Sequence, residues 1–270
     1  MTLKTLFTIP SSEGLPIRGD FDVPDNPRAM VVIAHGFKGF KDWGFFPWLA
    51  EFLCNHRYAV CRFNMSRSGI GENPETFDRL DLFEGDTYSA QISDLVSVTE
   101  HAHRRFGDIP TYLLGHSRGG GVALLAADLI PHLHGVVTWS AIGTVDRWDD
   151  ETKTKWRRDG FIEVVNQRTN QVMRMSPAML DDYEANRDQF DIKAAARRLR
   201  VPLLVIHGGR DESVPVEEAH EIAEASPDAS KLIIATAGHT YNAIHPLVHV
   251  PSQLICAAEV SAHFAGAYLR

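Results

Sequence analysis

Long apolar runs are missing from this sequence. The longest candidate, GVALLAADLI, is cut by Asp128 and falls far short of the ~20 residues that a membrane-spanning helix needs. The opening MTLKTLFTIPSSEG has one lysine and only a short apolar patch before Pro10, too little for the apolar segment of an export signal. Cysteine is scarce: Cys54, Cys61 and Cys256 are the only three, and no C-x-x-C spacing joins them. That excludes a disulfide framework and a Cys-rich zinc site, and the expectation is buried, reduced thiols in a cytoplasmic protein. Basic charge is also short, with 27 Lys and Arg against 35 Asp and Glu. The net charge of -8, with the cations dispersed, leaves no basic face for nucleic acid. Repeats and low-complexity tracts are lacking. The one glycine run, Gly119 to Gly121, lacks the spacing and the following lysine of a phosphate-binding loop. No cofactor and no metal is expected, and the expected partner is a small organic molecule.

What is present is enough apolar material, 44% of 270 residues, to bury a large core. The first segment, LKTLFTIPSSEGLPIRGDFDVPDNP, reads as two extended runs around Pro and Gly punctuation, an opening antiparallel hairpin. Short continuous apolar strands then alternate with helical patterns. The strands are MVVIAHG, YAVCRFN, TYLLG, GVVTWSA, VPLLVIHG and KLIIATAG; the helices include WGFFPWLAEFLCNHR, TYSAQISDLVSVTEHAHRRF, VEEAHEIAEA and SQLICAAEVSAHFAGAYL. This alternation predicts an α/β fold, a mainly parallel sheet with helices on both faces. Residues 141–200 break the rhythm: they are charged and contain a hairpin pattern, FIEVV then NQRTN then QVMRM. They are expected to be a lid insertion in a core domain made of residues 1–140 and 201–270.

The stretch GHSRG, residues 115–119, puts a serine between two glycines directly after a strand and directly before a helix. That setting is the one a nucleophile elbow requires, with the glycines making room where strand and helix approach. A helix cap would explain the Ser117 hydroxyl but not both glycines. Serine needs a base and a group that orients the base. In this topology they follow in the order acid, then histidine, at later strand ends. Asp211 lies just past VPLLVIHGG and His239 just past KLIIATAG. Each alone has an ordinary reading, a turn aspartate and one of thirteen histidines. Together, in the required order, Ser117, Asp211 and His239 read as a catalytic triad. The backbone N–H groups of Phe37 and Arg118 are the candidate oxyanion donors, the second because it follows the nucleophile. His35 is expected to shape its own loop, Arg67 to stabilise a Gly-rich loop, and Trp139, Trp148 and Trp156 to frame the lid.

HGF (35–37), GHSRGG (115–120), HGGRDESVP (207–215) and AGHTYN (237–242) make the chain resemble the α/β-hydrolase superfamily over nearly its whole length. More narrowly it resembles the bacterial esterase branch with cinnamoyl and feruloyl esterases, with relatives among dienelactone hydrolases and serine aminopeptidase-like hydrolases. The resemblance implies Ser117 as nucleophile, His239 as general base and acid, Asp211 as its orienting partner, and Phe37 with Arg118 as the oxyanion hole. It also implies an α/β-hydrolase fold whose insertion at 141–200 shapes the acyl pocket. Dienelactone hydrolases differ in carrying cysteine at the position of Ser117. The expected activity is a carboxylesterase for small or aromatic acyl esters. The alternatives are an exopeptidase, amidase or thioesterase on the same triad, and a noncatalytic ligand receptor. The acidic cluster DRWDD (146–150) is what a peptidase could use to hold a free amine.

Overall fold

The computed structural model describes residues 2–73, 76–166 and 169–269. β1 (Leu3–Pro10) and β2 (Pro16–Val23) form the opening antiparallel hairpin. β2 also pairs antiparallel with β4 (Tyr58–Asn64). From there β3 (Ala29–Ala34), β5 (Thr111–His116), β6 (Leu133–Trp139), β9 (Leu203–Gly208) and β10 (Ala229–Ile234) continue in parallel. The eight strands stand in the order β1, β2, β4, β3, β5, β6, β9, β10.

The central strands are largely apolar because both faces are covered. In β3, Met30, Val32 and Ala34 face one core, while Ala29, Val31 and Ile33 face the other. α1 (Phe46–Asn55) and α9 (Ser252–Ala267) cover the second face. The first face carries α3 (Tyr88–Phe106), α4 (Arg118–Ala126), α7 (Ile192–Arg198) and α8 (Val216–Ala225), packed side by side. α3 begins where the Thr87 hydroxyl accepts from Ala90 N at 3.1 Å and ends at Gly107, whose φ is 74°. Leu95, Val98 and Ala102, three and four residues apart, bury its inner stripe.

Residues 141–200 lie between β6 and β9. They hold α5 (Asp150–Asp159), the antiparallel pair β7 (Ile162–Asn166) and β8 (Gln171–Met175), α6 (Ala178–Ala185) and α7. Gln167 and Arg168, in the turn of the expected hairpin, fall outside the described residues. Trp156 is fully buried and donates from Nε1 to Met175 O at 2.7 Å, pinning α5 to the hairpin. Among the described residues no helix is long and apolar enough to cross a membrane.

One buried carboxyl of α3 has a measurable consequence. Asp94 is 1% exposed and accepts from Ser66 N at 2.7 Å. Burial outweighs that bond and pushes its carboxyl up to about 6 from an ordinary 3.8. A raised carboxyl favours folding below its unfolded value and loses that contribution as pH climbs through the folded one. Asp94→Asn keeps an acceptor for Ser66 N and removes the charge. Relative to wild type, its unfolding free energy is expected to gain on the order of 2–3 kcal/mol between pH 4 and 7. Urea titrations across that range check it; a difference that does not change with pH would refute the burial of this charge.

Candidate active site

At the end of β5 the chain turns sharply into α4, and Ser117 is the turn residue, with φ 57° and ψ −123°. This is a strained conformation for a residue with a β-carbon, held because the surrounding structure over-determines it. Ser117 N donates to Trp139 O at 2.8 Å, and Ser117 O accepts from Gly120 N at 3.0 Å and Ile142 N at 3.2 Å. The flanking glycines are there for space. A β-carbon on Gly115 would collide with the backbone of Gly119, and one on Gly119 with the carbonyls of Ala34 and His35. Gly119→Ala is therefore expected to cost about 3 kcal/mol or more in a denaturation experiment. A loss under about 1 kcal/mol would mean that strand and helix can separate at no great cost.

Asp211 follows β9 and its side chain is fully buried. Oδ1 accepts from Ser213 N and Val214 N, both at 2.9 Å, and Oδ2 accepts from His239 Nδ1 at 2.8 Å. His207 Nε2 lies 3.3 Å from the same Oδ2 and 3.0 Å from Val214 O. Burial alone would raise this carboxyl, but the hydrogen bonds from His207 and His239 win and hold it well below the usual carboxylate range. His239 lies in the loop after β10. Its donation from Nδ1 leaves Nε2 as the lone-pair nitrogen in the neutral ring. The His116 ring packs 4.8 Å from the His239 ring, and its Nε2 donates to His239 O at 3.0 Å. Burial, with His239 next to it, drives His116 down to about 3, so it stays neutral.

Phe37, in the loop after β3, and Arg118, the first residue of α4, meet at this site. Among the described residues neither backbone N–H donates to another group of the protein. Their side chains are stacked, with the Arg118 guanidinium 4.0 Å above the Phe37 ring. Arg118 is 5% exposed and faces Asp86, 3.6 Å from its Nη1 to Oδ2. Burial, partly offset by Arg118, pushes Asp86 up to about 7. The two amides are thus braced by a buried pair that the sequence did not announce. His35 uses both ring nitrogens locally, Nδ1 donating to Gly36 O at 2.9 Å and Nε2 accepting from Met65 N at 3.3 Å. Burial lowers it to about 4.

A cavity of about 310 Å³ opens over Ser117 and His239, with walls that include Phe37, Trp43, Phe46 and Asn166. No hydrogen bond joins Ser117 to His239 among the described residues, although both line this cavity. Asp211 sits behind His239 rather than in the wall. Sequence reasoning missed His116, His207, Trp43 and Asn166; the first two carry a signal in GHSRG and HGGRD, the last two none. Trp139, Trp148 and Trp156 do not line the cavity: Trp139 donates to Ser261 Oγ at 3.0 Å in the core, and Trp148 packs edge-on to Trp156 at 5.1 Å. Arg67 pairs with Glu13 at 2.7 Å, which ties its loop to the β1–β2 turn. Among the described residues no cluster of three or more metal-ligating side chains occurs.

A family model described as serine aminopeptidase, S33, matches residues 25–158. A 2-hydroxy-6-oxo-6-(2'-aminophenyl)hexa-2,4-dienoic acid hydrolase of Metapseudomonas resinovorans is 26% identical over 162 residues, half of this chain. The matched region spans only 55% of that relative's length. Est1E of Butyrivibrio proteoclasticus, solved with ferulic acid bound, superposes with a TM-score of 0.75 at 18% identity, covering 97% of this chain and 99% of its own. The esterase domain of a Rhodothermus marinus protein gives 0.68 at 19% identity, covering 99% and 100%. The match over residues 25–158 and the shared fold over the whole lead to one conclusion: the chain has the α/β-hydrolase fold.

Proposed function

We propose that this protein is a serine carboxylesterase that cleaves small or aromatic acyl esters through an acyl-enzyme. The observation that carries the reading is the 2.8 Å Asp211–His239 hydrogen bond, with His239 and the strained Ser117 in one cavity. Asp211 fixes the tautomer, so His239 Nε2 takes the Ser117 proton as Oγ attacks the ester carbonyl. The Phe37 and Arg118 amides receive the oxyanion. His239 then gives the proton to the departing alcohol. Water, activated by the same nitrogen, releases the acid and restores Ser117.

The cavity is at the small end of ligand sites, and its Phe37, Trp43 and Phe46 walls suit a flat acyl group. Residues 141–200 serve as its lid: Asn166 of β7 lines the cavity, and Lys38 Nζ donates to Val165 O at 2.9 Å. The peptidase alternative lacks support from charge. Asp146, Asp149 and Asp150 line a separate surface depression, where Asp146 is paired with Lys153 at 2.6 Å and Asp149 caps α5. Of the three thiols expected to be buried and reduced, Cys54 and Cys61 are buried and free, whereas Cys256 is free but only half-buried.

The test is a panel of short and medium 4-nitrophenyl esters, methyl ferulate, an acyl thioester and aminoacyl 4-nitroanilides. Oxygen esters are expected to be cleaved well above the other two classes. Cleavage of anilides alone would replace the esterase with a peptidase, and no cleavage at all would favour a ligand receptor.

A further inference from the structure

Among the described residues, two hydrogen bonds hold His239. Its Nδ1 donates to Asp211 Oδ2 at 2.8 Å, and its carbonyl oxygen accepts from His116 Nε2 at 3.0 Å. The first bond sets the tautomer of the ring but not the placement of the main chain that carries it. The turn around His239 is closed largely by its own atoms. Gly238 N donates to Asn242 Oδ1 at 2.9 Å, Thr240 Oγ1 donates to Ala243 O at 2.7 Å, and Tyr241 and Asn242 are both left-handed, at φ 55° and 64°. The His239 carbonyl is the atom through which this turn meets the strand that ends at Ser117.

His116 stands directly before Ser117. Its main chain pairs with Trp139 across β5 and β6, and Ser117 N donates to Trp139 O at 2.8 Å. The His116 ring and the Ser117 hydroxyl therefore hang from one strand end. The ring is 6% exposed, with Phe45 edge-on at 5.3 Å and the His239 ring at 4.8 Å, so packing leaves it little freedom. Its state also suits the place. A carbonyl oxygen needs a donor, which Nε2–H supplies, and a cation here would oppose the imidazolium that forms on His239 in the reaction. Burial keeps His116 neutral.

We propose that His116 is a positioning residue for hydrolysis: through its hydrogen bond to the His239 carbonyl it sets the His239 ring over Ser117, so that base and nucleophile share one strand end as their reference. The inference rests on the esterase reading and adds a side chain that touches neither substrate nor the transferred proton. No hydrogen bond joins Ser117 to His239 among the described residues, so their approach depends on the backbones that carry them. A misplacement of about 1 Å in a reacting group costs on the order of 10²-fold in rate.

A matched pair of variants tests the proposal. His116→Met and His116→Gln have side chains of nearly equal length, and only glutamine offers an N–H. Rates of 4-nitrophenyl acetate cleavage are divided by the Ser117 that a fluorophosphonate titrates, so unfolded protein does not count. His116→Met is expected to lower kcat per titrated site by roughly 10- to 100-fold with KM within about twofold, and His116→Gln to recover most of the loss. His116→Phe, which keeps a ring and lacks the donor, should behave as methionine does and replaces it if that variant fails to fold. In a His239→Ala background the donor-free substitution should have no further effect on residual cleavage, because no base is left to misplace. A histidine that merely fills the core would lower the melting temperature and the titratable fraction, and leave kcat per site unchanged. That result overturns the proposal, as does an equal loss with glutamine, or a loss that persists in full without His239. Ser117→Ala in the same assay separates the two levels. Ser117-dependent cleavage that is indifferent to His116 sinks only the positioning role, and Ser117-independent cleavage, or none, sinks the esterase reading and the positioning role with it.

Discussion

Ser117→Ala is expected to lower kcat for ester hydrolysis by roughly 10⁴ to 10⁶-fold while leaving the fold intact. The size follows from the chemistry, since without Oγ no acyl-enzyme forms and only the amides and the cavity remain to assist attack by water. The fold should hold because alanine keeps the β-carbon, so the strain at φ 57° is the same in both proteins, and among the described residues the hydroxyl makes no cap hydrogen bond to α4. Steady-state rates with 4-nitrophenyl acetate, beside circular dichroism and a melting curve, make the comparison. Near-wild-type turnover by a folded variant would remove Ser117 from the mechanism, and the search would move to a water activated by His239.

Asp211→Asn should cost about 10⁴-fold in kcat, with a smaller change in KM. The reason lies in which atoms are already committed. Ser213 N and Val214 N donate to Oδ1, so an asparagine must keep its carbonyl oxygen there and turn its NH₂ toward His239 Nδ1. The imidazole then accepts at Nδ1 and carries its proton on Nε2, where it cannot take one from Ser117. The same NH₂ faces His207 Nε2 donor to donor, so the variant should also be less stable. The lowered folded value of Asp211 sets the sign of the pH dependence. Its stabilising contribution is complete above the unfolded value near 3.8 and disappears on acidification below it. Wild type and variant should therefore differ in melting temperature at pH 7, and the difference should begin to shrink only as pH falls below about 4. A variant with unchanged kcat would show that the carboxylate does not set the tautomer.

Much of the architecture was legible because local pattern and tertiary role agree in this fold. The alternating strands and helices, the opening hairpin and the turn at Ser117 follow from apolar periodicity and glycine placement, signals that act over a few residues. Residues 141–200 were readable only as a break in the rhythm. Its helices are amphipathic over short spans, and whether α7 packs on α4 and α8 depends on neighbours distant in sequence. The aromatic assignments show the same limit. Trp139, Trp148 and Trp156 drew attention by size, yet Trp43, with no motif around it, is the tryptophan in the cavity wall.

By itself the sequence determined the class of fold, the elbow that exposes Ser117, and the order in which Asp211 and His239 follow it. Those are properties of consecutive residues, governed by φ and ψ, by hydrophobic period and by which strand end a residue occupies. Only the tertiary structure decided that His207 lies against Asp211 and His116 against His239, that Arg118 lies on Phe37 behind the two candidate oxyanion amides, and that Lys38 meets Val165 at the rim. Lys38 and Val165 stand 127 positions apart in the chain, and their contact depends on how β7 docks onto the loop after β3. Such contacts arise from packing between surfaces, and packing is specified by the whole set of side chains that must fit together rather than by any stretch that can be read alone.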